Sequence, residues 1–181
     1  MDISSGLTDP VFRSAVVEDL PAIAELESSE FRQLAYPYFA LRQLFDVHGS
    51  HWVVAESADS ICGYAMVAVA PEGTAWLVGL AVAPPHQGRG LGRSLLERAV
   101  DRCRADGIGA VFITVRPSNV PAANLYKESG FTWAGYEDQY FGVGEPRELL
   151  VRWIEPAGSR WPPLDRTDPR WRKGGHAPPG R

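Results

Sequence analysis

The sequence predicts an α+β (or α/β) fold in which helices flank a mixed, mostly antiparallel central sheet. Strand-like and helix-like stretches follow one another in mixed order along the chain. Three apolar stretches, HWVVAES, ICGYAMVAVA and TAWLVGLAV, are separated only by the short segments ADS and PEG. Such short connections are typical of hairpins, and hairpin strands run antiparallel.

The N-terminal part predicts one strand and two helices. VFRSAVV reads as a strand, and in EDLPAIAELESSEF the residues Leu20, Ile23, Ala24 and Leu26 recur at helical spacing. Acidic residues stand at the start of this helix, where the helix dipole favours them. YPYFALRQLFDVHG predicts a second helix that is closed by Gly49.

The C-terminal half predicts two more helices and three strands. AVFITVR is apolar and β-branched, as in a buried strand, and FTWAGYEDQYF and RELLVRWIE predict a closing strand pair. NVPAANLYKESGF has Pro121 near its start and Gly130 just past its end, which indicates a short helix. An amphipathic helix that ends near Gly107 is indicated by one apolar stripe, formed by Leu91, Leu95, Leu96, Ala99, Val100 and Cys103.

Length and composition indicate one domain with an extension and a tail. A chain of 181 residues is long enough to bury a core, and its longest apolar runs are shorter than the roughly 18 residues that cross a bilayer. The first residues lack the pattern of a secretory signal, so a cytoplasmic protein without membrane contact is expected. We expect an extension at 1–10, a domain at 11–155 and a flexible Pro/Gly/Arg-rich tail at 156–181. The tail contains two large apolar side chains, Trp161 and Trp171, which would allow it to dock on the body of the protein or on a second subunit of a homodimer.

Charge and cysteine content exclude several classes of protein. The net charge is −4 for the whole chain and +4 for residues 156–181, which leaves −8 on residues 1–155. An acidic body argues against nucleic-acid binding and suits a cationic substrate such as an amine. The two cysteines, Cys62 in a strand and Cys103 on an apolar helix face, argue against a disulfide scaffold or a zinc site, so no metal is expected.

A glycine-rich loop, HQGRGLGRS, precedes the amphipathic helix. Glycine permits positive φ and a close approach of a ligand to the main chain, and successive N–H groups at a helix start form a site for a pyrophosphate. Arg89 and Arg93 add positive charge, and Gln87 adds a neutral donor. A tight glycine turn without a ligand is the alternative.

Two common phosphate loops do not match this segment. A Walker A loop requires GxxxxGK[ST], and no lysine stands at the required place. A Rossmann loop requires GxGxxG, whereas this chain has GxGxG, with Arg93 in place of the third glycine. The pattern Q/R-x-x-G-x-G/A between an apolar strand and an amphipathic helix matches at every position.

This third pattern is that of the GNAT superfamily, the Gcn5-related acyl-CoA N-acyltransferases, which the sequence closely resembles. LVGLAVAPPHQGRGLGRSLLERA resembles the acyl-CoA motif of the family, and NVPAANLYKESGF resembles the motif that follows it. The resemblance covers about residues 11–155, with its motifs confined to about 77–131. It implies the GNAT fold and acetyl-CoA as the acyl donor substrate.

The resemblance also implies which residues hold acetyl-CoA. The main chain of Leu80, Ala81 and Val82 would pair with the pantetheine arm, and an N–H there would polarise the thioester carbonyl. The loop would bind the pyrophosphate, and Asn119 or Asn124 would make further contacts. Together the expected binding residues are Leu80, Ala81, Val82, Gln87, Gly88, Arg89, Gly90, Leu91, Gly92, Arg93, Ser94, Asn119 and Asn124.

Acyl transfer needs an acid for the departing thiolate. A tyrosine, with a pKa of about 10, is matched to a thiol near 8.5, and the resemblance gives this catalytic role to Tyr126. Helical spacing puts Asn119 and Tyr126 on one face of their helix, toward the cofactor cleft. The alternative for Tyr126 is a packing role.

The sequence offers no direct general base. The positions that the resemblance implies for this role in related peptide and ribosomal-protein acetyltransferases hold Trp76, Gly79 and Thr114. An α-amino group, with a pKa of roughly 7.7–8.0, is partly neutral at pH 7, whereas a lysine near 10.4 needs more help. Candidates that act directly or through water are Glu56, Glu72, His86, Glu137 and Asp138.

Acceptor selection is expected from residues 30–48 and 133–147. Phe31, Tyr36, Tyr38 and Phe39 either line a pocket or belong to the core. YEDQYFGVGEPRELLVR resembles the tyrosine-rich hairpin of the ribosomal-protein and protein N-terminal alanine acetyltransferase branch, with Glu145-Pro146 in place of an acidic pair.

Three functions follow, in order of preference. The first is an acetyl-CoA-dependent N-acetyltransferase that acts on a protein N-terminal α-amine. The second acetylates a small-molecule amine, such as an antibiotic or a polyamine. The third, a sensor that binds acyl-CoA without turnover, has no need of a leaving-group acid, so Tyr126 counts against it.

Overall fold

The computed structural model describes residues 9–155. Most of the predicted extension and the whole predicted tail, with Trp161 and Trp171, lie outside the described residues, so the predicted domain limits stay a prediction. Within the described range every predicted strand and helix is present. These elements are β1 Val11–Ser14, α1 Leu20–Phe31, α2 Tyr38–His48, β2 Val53–Ser57, β3 Ser60–Ala70, β4 Thr74–Val82, α3 Leu91–Ala105, β5 Ala110–Val115, α4 Val120–Glu128, β6 Thr132–Glu137 and β7 Arg147–Trp153.

The strands form one sheet in the order β1-β2-β3-β4-β5-β7-β6. Four registered pairs, β1 with β2, β2 with β3, β5 with β7, and β6 with β7, are antiparallel. β4 pairs with β5 in parallel, over Thr74–Leu77 and Ala110–Ile113, as expected for strands joined through a helix. The predicted mixed, mostly antiparallel fold is therefore confirmed, and β7 lies between β5 and β6.

Two predicted details are refined by the backbone. The predicted first strand, residues 11–17, ends at Ser14 because Val17–Asp19 forms a 3-10 turn, closed by a 3.0 Å hydrogen bond from Asp19 N–H to the Val16 carbonyl. Between β2 and β3 the turn has two central residues, Ala58 and Asp59, with φ values of 49° and 60°. Positive φ at both positions is the requirement of a type I′ turn, which matches the twist of the hairpin.

The chain forms two compact units. The first contains the described residues up to Ala68 together with Val78–Arg102. Its core joins apolar residues of α1, α2, β2 and β3, and the indole N–H of Trp52 donates to the Val67 carbonyl at 3.1 Å, so this buried polar group is satisfied. The core residues are Ala15, Leu20, Ile23, Leu26, Leu41, Trp52, Val54, Tyr64, Met66 and Ala81.

The second unit contains Val69–Leu77 and the described residues from Cys103 onward. Its core lies on the face of the sheet where Trp76 and Phe112 stack with ring centroids 5.1 Å apart. Trp153 packs edge-on against Phe112 at 6.4 Å. These contacts follow from the register, since Phe112 is the partner of Trp76 in β4 and of Val151 in β7.

Both cysteines are buried free thiols, Cys62 in β3 and Cys103 in α3. The Cys62 thiol lies 3.4 Å from the Ala55 carbonyl oxygen, and burial raises its pKa. Burial raises the pKa of Cys103 to about 12. No helix within residues 9–155 is both long enough and apolar enough to cross a membrane.

A buried carboxylate stabilises the end of β1. Asp19 accepts hydrogen bonds from the Arg13 guanidinium at 2.7 and 2.8 Å and from the Val16 N–H at 2.8 Å. Arg13 also donates to Glu56 at 2.6 Å. Burial alone would raise the pKa of Asp19, but the hydrogen bonds from Arg13 and Val16 outweigh it and hold the pKa below its ordinary value.

We expect Asp19→Asn to lower the free energy of unfolding at pH 7 by about 1–3 kcal/mol, because Arg13 loses one of its two charged partners and keeps only Glu56. A lowered folded-state pKa contributes stability above the unfolded value of about 3.9, and that stability is lost as the pH falls through the folded pKa. The difference in the free energy of unfolding between wild type and Asp19→Asn should therefore become smaller below about pH 4. Urea unfolding from pH 7 to pH 2 measures it.

The matched control is Glu18→Gln, which changes an exposed neighbouring carboxylate. It should leave the free energy of unfolding nearly unchanged across the same range. A difference between wild type and Asp19→Asn that stays constant down to pH 2 would contradict the assignment.

Candidate active site

The glycine-rich loop joins β4 to α3 within the first unit. A 3-10 turn, Pro84–His86, leads into four exposed residues, 87–90, and α3 begins at Leu91. The first N–H groups of a helix have no acceptor within the helix and lie at its positive dipole end. Ser94 N–H donates back to the Gly90 carbonyl at 3.1 Å. The loop therefore lies against a helix start that favours an anion.

Two of the loop glycines have a backbone that other residues rarely adopt. Gly88 has φ of 73° and Gly90 has φ of 81°. A Cβ at either position would meet no atom within 4 Å. Packing inside the protein therefore does not require glycine here, whereas the backbone does, and the space above the loop is open.

The polar side chains of the loop divide into two kinds. Gln87, expected to be a donor to the ligand, donates from Nε2 to the Val82 carbonyl at 2.8 Å and so ties the loop to the end of β4. Arg89 lies 3.7 Å from the carboxylate of Asp9 at the protein surface. Arg93 is exposed on the first turn of α3. Both arginines thus present positive charge beside the glycines.

The end of β4 lies beyond the residues that pair with β5. Leu80 and Val82 are half-buried and Ala81 is buried. The adjacent Ala83 N–H donates to the Cys62 carbonyl at 2.8 Å, which fixes this end of β4 against β3. The three residues that the resemblance assigns to the pantetheine arm therefore belong to one ordered strand.

Gly79 explains why β4 carries no base at this position. A Cβ there would lie 2.3 Å from Cε of Met66 and 3.2 Å from Cε2 of Tyr64. A side chain at position 79 would therefore require the terminal methyl of Met66 to move and the Tyr64 ring to shift slightly.

The second predicted motif forms α4 in the second unit. Asn119 is the N-cap of this helix, and its side-chain oxygen accepts from Ala122 N–H at 3.3 Å. Asn119 and Asn124 are exposed, whereas Tyr126 is 7% exposed. Asn119 and Tyr126 therefore differ in surroundings although helical spacing puts them on one face.

Tyr126 packs beside Phe131, with ring centroids 6.0 Å apart. Burial raises the pKa of its phenol above the ordinary value. The phenol is protonated at neutral pH, as a proton donor must be, and the raised pKa makes it a weaker acid toward a thiolate than an exposed tyrosine.

The candidate bases differ widely in surroundings. Glu56 is held by Arg13, and Asp138 accepts from the Tyr136 hydroxyl at 3.2 Å. Glu72 and Glu137 are exposed. His86 is buried, and its Nδ1 has no hydrogen-bond partner among the described residues. None of these observations selects one of them as the base.

The aromatic residues predicted for acceptor selection divide into surface and core. Tyr36 packs partly buried against the core of the first unit. Phe31, Tyr38 and Phe39 are exposed, Phe39 by 68%. The connection between α1 and α2 therefore presents an apolar, aromatic surface.

The hairpin between β6 and β7 contains an ionic cluster that sequence reasoning missed. Glu145 accepts from Arg116 through both carboxylate oxygens and from Arg147 at 3.1 Å. The Arg147 guanidinium lies 4.6 Å from the centre of the Phe141 ring. Glu145, which stands where the related branch has an acidic pair, thus ties this hairpin to the end of β5.

A second missed feature is a buried carboxylate in α1. Glu27 is 2% exposed and receives hydrogen bonds from the Tyr64 hydroxyl and the Tyr36 N–H. The sequence contains a signal for its burial, because position 27 follows Leu20 by seven and Ile23 by four residues on the apolar helix face.

A family model described as the acetyltransferase (GNAT) family matches residues 18–131, more than half of the chain. The chain belongs to the GNAT acetyltransferase family. The resemblance inferred from the loop and α4 motifs is confirmed, and so is the assignment as an acyltransferase enzyme.

Two similar proteins carry names of the predicted branch, and a third solved structure shares the fold. The N-alpha-acetyltransferase RimI of Mycobacterium tuberculosis is 34% identical over 151 residues, which cover 80% of this chain and 93% of that protein. The ribosomal-protein-S18-alanine N-acetyltransferase of Escherichia coli has a crystal structure that matches with a TM-score of 0.71 and 25% identity, over 83% of this chain and 97% of that chain. A GNAT phosphinothricin acetyltransferase from Sinorhizobium meliloti, solved in complex with acetyl-CoA, shares the fold with a TM-score of 0.70 at 20% identity, over 90% of this chain and 97% of that chain.

We expect Gly90→Ala to lower the free energy of unfolding by about 1–2 kcal/mol, because its positive φ disfavours a Cβ while no neighbouring atom is touched. The matched control is Gly92→Ala inside α3, where alanine suits the helix and stability should hold or rise. Thermal and urea unfolding of both variants measure the difference. Equal stability of the two variants would show that the loop backbone is not the constraint.

Proposed function

We propose that this GNAT enzyme transfers an acetyl group from acetyl-CoA to the N-terminal α-amine of a protein. The observation that carries the donor site is the open loop of residues 87–90 at the start of α3, with Gly88 and Gly90 at positive φ. The acceptor is supported by the relatives, since the RimI protein is named an N-alpha-acetyltransferase and the E. coli enzyme acts on a ribosomal-protein alanine.

The residues of the loop fit the diphosphate of acetyl-CoA. A Cβ at Gly88 or Gly90 would project into open space, so the absence of side chains leaves room for a ligand against the main chain. The N–H groups around the start of α3 supply donors, and Arg89 and Arg93 supply charge. Leu80, Ala81 and Val82 would pair with the pantetheine arm, and Asn119 or Asn124 would add contacts.

The substrate supplies a thioester, and the amine nitrogen forms a new bond to its carbonyl carbon while the carbon–sulfur bond breaks. We assign to Tyr126 the donation of its phenol proton to the departing thiolate. The amine nitrogen releases one proton to solvent as the amide forms, and the Tyr126 phenolate takes up one proton from solvent, so the step balances. The pKa of this tyrosine is raised by burial, so the proton is present at neutral pH. An α-amine with a pKa of about 7.7–8.0 is partly neutral there, which reduces the need for a dedicated base.

The decisive experiment measures release of the coenzyme A thiol with three acceptor sets. These are a peptide with a free N-terminal alanine, the same peptide with a blocked N-terminus and an internal lysine, and a panel of polyamines and antibiotic amines. The proposal expects turnover with the first set and little with the others. Preferred turnover of small amines would replace it with the small-molecule function, and binding without turnover of any acceptor would replace it with the sensor function.

We expect Tyr126→Phe to lower kcat by about 10²–10⁴-fold, because the thiolate then departs without a proton donor. Calorimetric binding of acetyl-CoA should stay within about threefold, since the ring is retained. Stopped-flow thiol detection and calorimetry measure the two effects. An unchanged kcat in a folded variant would assign Tyr126 to packing.

A further inference from the structure

Glu27 is a buried carboxylate with a separate donor on each oxygen. Oε1 accepts from the Tyr36 N–H at 3.2 Å, and Oε2 accepts from the Tyr64 hydroxyl. Tyr64 is itself fully buried in β3. Burial raises the pKa of Glu27 more than the two hydrogen bonds lower it, so the charged form of this carboxyl group is disfavoured here.

Glu27 lies where it can hold the backbone of the segment between α1 and α2 through the Tyr36 N–H. It lies on the core face of α1, where leucine would pack without a desolvation cost. What leucine would lack is an acceptor for the Tyr36 N–H. Tyr36 follows the 3-10 turn Arg32–Leu34, so its N–H belongs to the irregular connection between α1 and α2. The carboxyl group therefore fixes the backbone of this connection.

The other end of the arrangement reaches β4. Cε2 of Tyr64 lies 3.2 Å from where a Cβ on Gly79 would stand, so the tyrosine ring packs closely on the β4 backbone at Gly79. Gly79 directly precedes Leu80, the first of the residues proposed to pair with the pantetheine arm. Glu27 and Tyr64 thus form a chain of contacts from the segment between α1 and α2 to β4, the strand that would carry the thioester.

The α1–α2 connection has the exposed surface that an acceptor needs. Four large apolar side chains within five residues of Tyr36 in the sequence remain exposed, namely Phe31, Leu34, Tyr38 and Phe39. Tyr36, Glu27 and Tyr64 link this surface to β4 at Gly79, and all four residues belong to the first unit. A shift of about 1 Å in such a support is enough to cost about 10²-fold in rate.

We propose that Glu27 is a positioning residue that, together with Tyr64, holds the acceptor-binding connection at a fixed distance from the β4 main chain. This inference rests on the proposed function, because it takes the α1–α2 connection as part of the acceptor site. Glu27 acts through the Tyr36 backbone and does not touch the substrate. Besides Glu27, the titratable groups that raise the pKa of the Tyr64 phenol are Glu30 and Tyr36.

Tyr64→Phe is the principal variant, because it removes one hydroxyl and leaves the ring against Gly79. We expect kcat/KM for the peptide acceptor to fall about 10–100-fold, while calorimetric affinity for acetyl-CoA changes less than about threefold. Glu27→Leu should reproduce this effect, and Glu27→Gln, which keeps an acceptor for the Tyr36 N–H, should recover part of the activity. The Glu27→Leu/Tyr64→Phe double variant should lose no more kcat/KM than the worse single variant, because each single variant already breaks the same link between Tyr36, Glu27 and Tyr64.

The control is Glu25→Gln, an exposed carboxylate on the same helix, which should keep wild-type kinetics. Urea unfolding confirms that each variant is folded at the assay temperature. An unchanged acceptor kcat/KM in Tyr64→Phe overturns the inference, as does an equal loss of acetyl-CoA affinity, which indicates general loosening. Additive losses in the double variant overturn it as well.

Failure of the proposed function is recognised separately. Wild-type turnover is measured first, and if it occurs with a small amine instead of the peptide, the acceptor assignment fails. The same variants assayed with that amine then test the inference: the same selective loss of kcat/KM supports it, and unchanged kinetics overturn it.

Discussion

The first turn of α3 imposes the constraint on which the proposed donor site depends. A helix start leaves N–H groups without acceptors, and it can serve a ligand only if the helix is held in place and the preceding chain turns out of the way. The buried side chains of Leu91, Leu95 and Leu96 hold α3 in the core. At the other end of the helix, Arg102 donates to the Trp52 carbonyl at 2.7 Å and to the Ser14 hydroxyl at 2.9 Å. Gly88 and Gly90 then allow the loop to turn at no steric cost.

Two buried acids in the first unit show how the partner decides what a carboxyl group does. Asp19 faces a guanidinium, so its charge is stabilised and its pKa is lowered. Glu27 faces a neutral phenol and an amide N–H, which do not offset its desolvation, so its pKa is raised. The first group contributes stability through charge. The second has its charged form disfavoured, and it instead accepts hydrogen bonds from two separate elements of the first unit.

Local pattern was sufficient to predict every strand and α-helix in the described residues, because hydrophobic periodicity and turn residues act over a few positions. The glycine-rich loop was also recognisable, since its chemistry lies in six consecutive residues. The insertion of β7 between β5 and β6 was not predictable from such signals, because no local feature of RELLVRWIE specifies its neighbours.

The site features that sequence reasoning missed are pairings across long stretches of chain. Periodicity indicates that Glu27 is buried, but it does not identify Tyr64, 37 residues away, as its partner. Arg116 and Glu145 are separated by 29 residues in the same way. The roles of Leu80–Val82, residues 87–94 and Tyr126 stay predictions, because they depend on a ligand rather than on contacts within the chain.

The two sequestered thiols have a practical meaning for an enzyme whose product is itself a thiol. Cys62 and Cys103 are the only cysteines in the chain, both lie in the interior, and both have pKa values raised by burial. Since the thiolate is the reactive form, neither side chain exchanges readily with disulfides or alkylating reagents while the protein is folded. Colorimetric reagents that detect free sulfhydryls will therefore report liberated coenzyme A without a contribution from the catalyst. The folded enzyme is protected for the same reason from forming mixed disulfides with its own product.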